Sequence, residues 1–325
     1  MPNPVPTVPN PVPTSTNPVP TSTTMVPNPA TVGANELGVV PVLMHHRVVE
    51  TVDSEYDMTP AYFQAELERL HDEGYYPVRT IDVVTGQLGH VPAGRTPVVL
   101  TFDDGTPGQF GYTTSGAVNL ESGVGILLAF TAAHPGFPAT ASLYVNRRPF
   151  GTTTSAQTAR VLSDLVGRGF EIGNHTFDHA SLRQLPDQGV QGELARLAEM
   201  VTTAVPGVTP QTMSLPFGVE PRVHALAHSG TSGGISYLNE GVVLVGAGPS
   251  HSPYHRAFRA QAIPRIRSSS YLGGAGRLLA TYWLDHLAAH PAQRYRSAGN
   301  PGHVTIPRAL LADLNPAFGG QAITY

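Results

Sequence analysis

Cysteine is absent from all 325 residues, so disulfide frameworks, thiolate zinc sites and cysteine nucleophiles are excluded together. Lysine is absent too: all 19 cations are arginine, against 23 acidic residues and a formal balance of −4. Only 13% of the residues are charged, about half the ~25% of an ordinary soluble domain. No basic run exists to neutralise a phosphate backbone, which argues against a nucleic-acid binder. No stretch approaches the ~18 apolar residues that span a bilayer, so no transmembrane segment is expected. Any chemistry is left to His, Asp, Glu, Ser and Arg.

Proline is abundant but unevenly placed. Ten of the 31 prolines fall within residues 1–30, in a loose repeat (NPVPTVP, NPVPTSTNPVPTST, VPNPAT), and the first charged residue is Glu36. Such a segment cannot bury enough surface to offset its chain entropy, and its prolines bias it to extended polyproline II. Residues 1–35 are therefore expected to be a disordered linker or stalk. Stalks of this kind commonly join an anchor to an exported domain, so the expected location is extracellular or cell-wall associated. Residues 1–35 show neither the basic start nor the apolar core of a secretion signal. The charge deficit, by contrast, belongs to the rest of the chain.

From Gly38 onward, short apolar runs alternate with helical patterns. Val39 to Met44 reads as a buried strand. Thr59 reads as the N-cap of a helix with Pro60 in its first turn and Gly74 as its stop. Pro97 to Phe102 is a second buried strand, running directly into Asp103 and Asp104. Further helices are expected at Gly123–His134, Ser155–Arg168, Val190–Thr203, Arg222–His228 and Gly276–His290. Strands are expected at Ala139–Val145, Phe170–Gly173, Met213–Leu215, Val242–Val245 and Ile263–Arg267. The alternation predicts a parallel α/β sheet, closed or open, with its site at the C-terminal ends of the strands. Residues 36–291 are read as the catalytic domain and 292–325 as a C-terminal extension, which either covers the barrel or binds a partner.

Two strand ends carry the informative residues. Adjacent carboxylates at Asp103 and Asp104 repel unless a cation or proton relieves them. His175 and His179, in NHTFDH, share a helical face if a helix begins near Asn174. One carboxylate and two imidazoles make a three-ligand site with a position left open for water. The spacing alone discriminates poorly, because His224/His228, His251/His255 and His286/His290 repeat it. What separates His175/His179 is its place directly after a strand, as with Asp103-Asp104. The alternative reading makes Asp103 a turn cap and His175 a core histidine. A G-x-S-x-G at Gly230–Gly234 lacks the strand before and helix after that a nucleophile elbow requires, and reads as a flexible loop.

TFDDG at 101–105 and HTFDH at 175–179 resemble the first two motifs of the polysaccharide deacetylase (NodB-homology) family, whose members are metal-dependent and fold as a distorted (β/α) barrel. Pro216-Phe217-Gly218 resembles the third motif, with Ser214 where most members carry an arginine that orients the catalytic aspartate. The chain is most similar to the permuted poly-N-acetylglucosamine deacetylase type. There the histidine found near the C-terminus of other members lies on the first strand, matched here by His46, with His45 in place of tyrosine. Such members have a late Pro-Arg-Ile strand, matched by Pro264-Arg265-Ile266, so the orienting role falls to Arg265. The resemblance implies that Asp104, His175 and His179 hold a divalent metal, zinc ahead of cobalt, nickel or manganese. It implies that Asp103 is the base, His46 the protonated general acid with its ordinary pKa, and the Pro216-Phe217-Gly218 turn the support of the oxyanion. The implied function is removal of the N-acetyl group from a cell-wall or exopolysaccharide sugar by a monomer. The alternatives are an altered, glycan-binding member, and a deacetylase of O-acetyl groups or small N-acyl compounds. Phe110 and Tyr112 are candidates to stack on a sugar ring.

Overall fold

The computed structural model describes residues 27–271, 276 and 279–325. The stalk expected at 1–35 lies outside these residues up to position 26. Eight parallel strands form its main sheet: β1 (Val42–His45), β2 (Tyr75–Val78), β3 (Thr96–Phe102), β4 (Ser142–Val145), β5 (Glu171–Asn174), β6 (Thr212–Ser214), β7 (Gly241–Ala247) and β8 (Ile263–Arg267). Their order is β1-β8-β7-β6-β5-β4-β3-β2, and β1 also pairs with β3. Seven strands thus close an α/β barrel, while β2 lies against the first half of β3, Pro77 opposite Val98. Proline is tolerated there because β2 is the strand of this sheet with a free edge. That strand escaped the sequence reading for the same reason.

The barrel is wrapped by α1 (Pro60–Asp72), α2 (Gly123–Ala133), α3 (Ser155–Gly167), α4 (Asp187–Ala204) and α5 (Ala280–Ala289). Thr59 caps α1 through its side-chain oxygen, which accepts the Tyr62 N–H at 3.1 Å, and Phe63, Leu67 and Leu70 form the buried stripe beneath. Residue parity sorts the strands into two faces. Leu43, Leu100, Leu143 and Ile172 pack under the helices, while Val42, Val99, Tyr144, Val243 and Ile263 belong to a second cluster that fills the barrel.

The helix expected over Arg222–His228 shrinks to Ala225–His228, followed by a hairpin. The helix expected from Gly276 begins at Ala280, with residues 277–278 outside the described set. No helix among the described residues is long and apolar enough to cross a membrane.

The floor of the barrel is built by the described segments that precede β1 and follow α5. Tyr295, Val304, Ile306 and Leu314 pack with Val42, Val99 and Val243 in one core, and Val304–Ile306 pairs with Ala322–Thr324. Pro29–Val32 is a short helix, and Asn35 exchanges backbone hydrogen bonds with Arg296. Residues 29–35, expected as spacer, are therefore folded against the C-terminal segment. The Glu36 carboxylate clamps that junction, accepting the N–H groups of Ala298 and Thr305 at 2.9 and 2.8 Å.

Candidate active site

At the C-terminal mouth of the barrel a cavity of about 300 Å³ is lined by His46, Tyr56, Asp103, Asp104, His175, His179 and Phe217, among others. Each comes from a strand end or the loop after it. The adjacent carboxylates point to different partners because Asp104 and Gly105 both take left-handed backbone angles, φ 73° and 59°. Aspartate and glycine are suited to that region. Asp103 turns into the barrel and is 1% exposed. Asp104 turns up towards the histidines.

Asp103 meets Arg265, itself fully buried. Nη1 donates to Oδ1 and Nη2 to Oδ2, each at 2.7 Å. The remaining donors reach Leu244 O, Thr101 Oγ1 and Ser214 Oγ, so all five guanidinium N–H groups are used. The Ser214 hydroxyl donates to Asp103 Oδ2 at 2.9 Å. The residue that departs from the family pattern is thus part of the clamp, and its small size leaves room for a guanidinium from β8. Burial alone would raise the Asp103 carboxyl, but Arg265, then His175 and His46, hold it well below the usual carboxylate range.

His175 Nε2 and His179 Nε2 lie 3.2 and 3.3 Å from Asp104 Oδ1, and the ligand atoms of the three residues fall within 4.8 Å of one another. Burial pushes the Asp104 carboxyl up, yet the two imidazoles facing it bring it below its ordinary range. His175 Nδ1 donates to Ser214 O at 2.8 Å, which fixes the tautomer and leaves Nε2 free to ligate. Burial lowers the His175 imidazole, but Asp103 and Asp104 outweigh it and raise it.

The two histidines do not share a helix, contrary to the reading of their spacing. Residues 175–181 form a loop in which Thr176 and His179 have φ 62° and 54°. Asn174 ties it down, its Oδ1 accepting the Thr176 N–H at 2.9 Å and its Nδ2 donating to Leu194 O at 3.0 Å. Asp178 points away and pairs with Arg147 and Arg196.

His46 follows β1 on its inward face, with Nε2 3.8 Å from Asp103 Oδ2. Burial pushes its imidazole down to about 4, against the upward pull of Asp103 and Asp104. The expectation of an ordinary histidine pKa is therefore corrected. His45 faces outward, its ring nitrogens 2.7 Å from Glu66 Oε1 and 3.0 Å from Thr101 O. In the Pro216-Phe217-Gly218 turn, Phe217 has φ 60° and its ring packs against His179 at 4.6 Å between centroids.

Two contributors went unread in the sequence. Gln109 Nε2 donates to His46 O at 2.6 Å and to Asp103 O at 2.5 Å, tying two strand ends together. Tyr56 packs on His46. Both sit in loops without a pattern that announces them.

The remaining candidates disperse. Phe110 is fully buried against Phe150, and Tyr112 bonds Asp164 beneath Arg160, so these aromatics are packing. His286/His290 and His251/His255 are stacked pairs, and His224 pairs with Glu220 while His228 bonds Asn239 O. Among the described residues, Asp104/His175/His179 is the one cluster of three with metal-binding geometry. Ser232 ends the first strand of a hairpin turned by Gly233 and Gly234, so no nucleophile elbow exists.

Residues 90–229 match the family model for polysaccharide deacetylase. A probable peptidoglycan-N-acetylglucosamine deacetylase of Arthroderma benhamiae is 30% identical over 138 residues, 42% of this chain and 27% of that protein. The chain thus spans about a quarter of the length of that relative. Among solved structures, the Streptococcus pyogenes deacetylase PplD in complex with acetate aligns with TM-score 0.53 and 18% identity, covering 71% of this chain and 92% of its own. IcaB from Ammonifex degensii aligns with TM-score 0.50 and 18% identity, covering 79% and 97%. At such identity these two likenesses concern the fold. The matched residues contain both aspartates, both loop histidines and the Pro216-Phe217-Gly218 turn, so the part of the chain that is similar to polysaccharide deacetylases carries most of the site.

Proposed function

We propose that this domain is a metal-dependent enzyme hydrolysing the N-acetyl group of an N-acetylated cell-wall or exopolysaccharide sugar. One juxtaposition carries the reading: the Asp104/His175/His179 cluster and the arginine-clamped Asp103 open into the same cavity. The cluster suits a divalent cation, because Asp104 Oδ1 is buried and accepts no hydrogen bond although two imidazole nitrogens converge on it. An Asp/His/His set favours zinc, with cobalt, nickel and manganese as accepted substitutes. When bound, such an ion supplies Lewis acidity towards the acetamide oxygen and lowers the pKa of water.

The chain's own residues do the rest. Asp103, kept ionised by Arg265 and close to His46, accepts the proton of the attacking water. The imidazole of His46 is neutral at rest, so the proton it gives to the departing amine is the one Asp103 has taken from the attacking water, passed on during turnover rather than stored beforehand. In the turn after β6, Pro216 has no N–H, Gly218 N–H bonds Leu215 O and Val219 N–H bonds Pro216 O. That leaves Phe217 N–H as the donor for the developing oxyanion. Ser214, which together with His45 motivates a catalytically altered, glycan-binding protein, instead completes the Asp103 clamp, and His45 faces away from the cavity, against Glu66 and Thr101 O. An extracellular or wall-associated monomer acting on an insoluble glycan accompanies this reading.

The test is acetate release from N-acetylchitooligosaccharides and from peptidoglycan by the zinc-loaded protein. Asp103→Asn should lower kcat by roughly 10²–10⁴. Undiminished release would remove Asp103 from its role. Release from acetylxylan alone would move the activity to O-acetyl groups.

A further inference from the structure

His46 differs from His45 and His175 in having nothing to orient its ring by hydrogen bonding. Its Nδ1 is buried without a partner, and its Nε2 comes no closer than 3.8 Å to Asp103. His175, by contrast, is fixed through Nδ1 to Ser214 O, and His45 through both nitrogens. An imidazole free to turn about its last torsion exchanges its two nitrogens, and a proton donor misplaced by about 1 Å is a poor one.

What stands against the ring is Tyr56, at 4.7 Å between centroids and an interplanar angle of 58°. Tyr56 is held from several sides. The Arg267 guanidinium lies over its ring at 4.7 Å, and Arg267 is in turn paired with Glu55. Tyr56 N–H bonds Ser54 Oγ, and its carbonyl accepts the Arg47 N–H. The next residue, Asp57, is fully buried; it accepts both a forked bond from Arg47 and the N–H groups of Asp53 and Ser54. Its carbonyl is tied to Ser269 beyond β8. So much anchoring makes the 53–57 loop a fixed wall, with the Tyr56 ring as its face towards the cavity.

We propose that Tyr56 is a positioning residue for His46, an aromatic buttress that does by packing what a hydrogen-bonded carboxylate usually does for a proton-transferring histidine. The inference rests on the role given to His46 above. It assigns the effect to the ring of Tyr56, not its hydroxyl, and to amine departure, not to attack on the carbonyl.

Leaving groups separate these steps. A sugar amine must be protonated to depart, whereas 4-nitrophenolate leaves as the anion. In the zinc-loaded full chain, kcat and KM are measured for an N-acetylchitooligosaccharide and for 4-nitrophenyl acetate, in wild type, Tyr56→Leu, Tyr56→Phe and His46→Gln. The expected result for Tyr56→Leu is a kcat on the acetamide lowered about 10- to 100-fold, with KM and the aryl-ester rate moved by less than about threefold. Tyr56→Phe should restore the acetamide rate to within about threefold of wild type. Equal losses on both substrates in Tyr56→Leu, or a Tyr56→Phe as impaired as Tyr56→Leu, would overturn the proposal. Full acetamide activity in His46→Gln would overturn the role of His46 beneath it. An impaired His46→Gln beside an intact Tyr56→Leu would overturn only the part given to Tyr56.

Discussion

Asp103 and Arg265 are stable at the barrel axis only as a pair. Each is essentially fully buried, and the fork between them is made of two 2.7 Å bonds. Arg265→Met would leave a buried carboxylate with one hydroxyl donor, Ser214. Breaking one side of such a pair costs about 3–5 kcal/mol, so denaturant unfolding should show a loss of that size, together with loss of acetate release. His46 makes a different prediction. Its imidazole is pushed from 6.5 to about 4 by burial, so between those values the unfolded chain binds the proton and the folded one does not. Stability held above pH 6.5 is then lost as the pH falls through 4, by about 3 kcal/mol from this residue. In metal-free protein, His46→Gln, which cannot be protonated, should lose less stability than wild type between pH 7 and pH 4, by up to that amount. Equal acid sensitivity in denaturant titrations of the two would contradict it.

Among the elements, β5 is the most constrained. It delivers Asn174 and His175 to the mouth, and its Gly173 lies in register with Tyr144 of β4. A Cβ at Gly173 would fall 2.4 Å from the Tyr144 ring. That ring cannot retreat, since its hydroxyl bonds Thr80 and Thr212 and Arg265 lies 6.0 Å above it. Gly173→Ala should therefore destabilise by about 1–3 kcal/mol through overpacking. It should also weaken zinc binding measured by competition with a chelator, because the strand that presents His175 must shift. The loop after β5 shows why spacing misled the helix expectation. Four residues bring two imidazoles together on a helix, but so does a loop with two left-handed residues, provided that Asn174 holds its start.

At the scale of the whole molecule, the barrel is open at its mouth and sealed at its floor by the described segments before β1 and after α5. Tyr295, Val304, Ile306 and Leu314 cover Val42, Val99 and Val243, and the Glu36 carboxylate joins residues before β1 to residues after α5. Removing 292–325 would expose that apolar floor and leave Glu36 without its donors. The shortened chain should lose cooperative thermal unfolding and bind a hydrophobic dye; a sharp transition near that of the full chain would show that the floor is dispensable. The sequence of this segment suits either a cover or a partner-binding tail. Its PRALLADL stretch is a 3-10 run, Arg308–Asp313, and only packing against the barrel gives it a place.

The chain itself determined the alternation of strands and helices, the strand-end position of the motifs, and the inventory of Asp, His and Arg from which a site could be built. These are local properties: apolar period, turn chemistry and cap residues act over a few positions and can be read in order. His46 and Arg265 were legible as candidates, although they lie more than two hundred residues apart, because each ends or occupies an apolar strand that a barrel must align with its neighbours. Tertiary structure alone decided which of two adjacent aspartates faces the arginine, that Ser214 belongs to the clamp, that Gln109 bridges two strand ends, and that Tyr56 stands against His46. Those outcomes depend on backbone angles at single residues and on contacts across the barrel. No period in the sequence encodes them, because they exist only when closure of the sheet brings β1, β3, β6 and β8 around one axis.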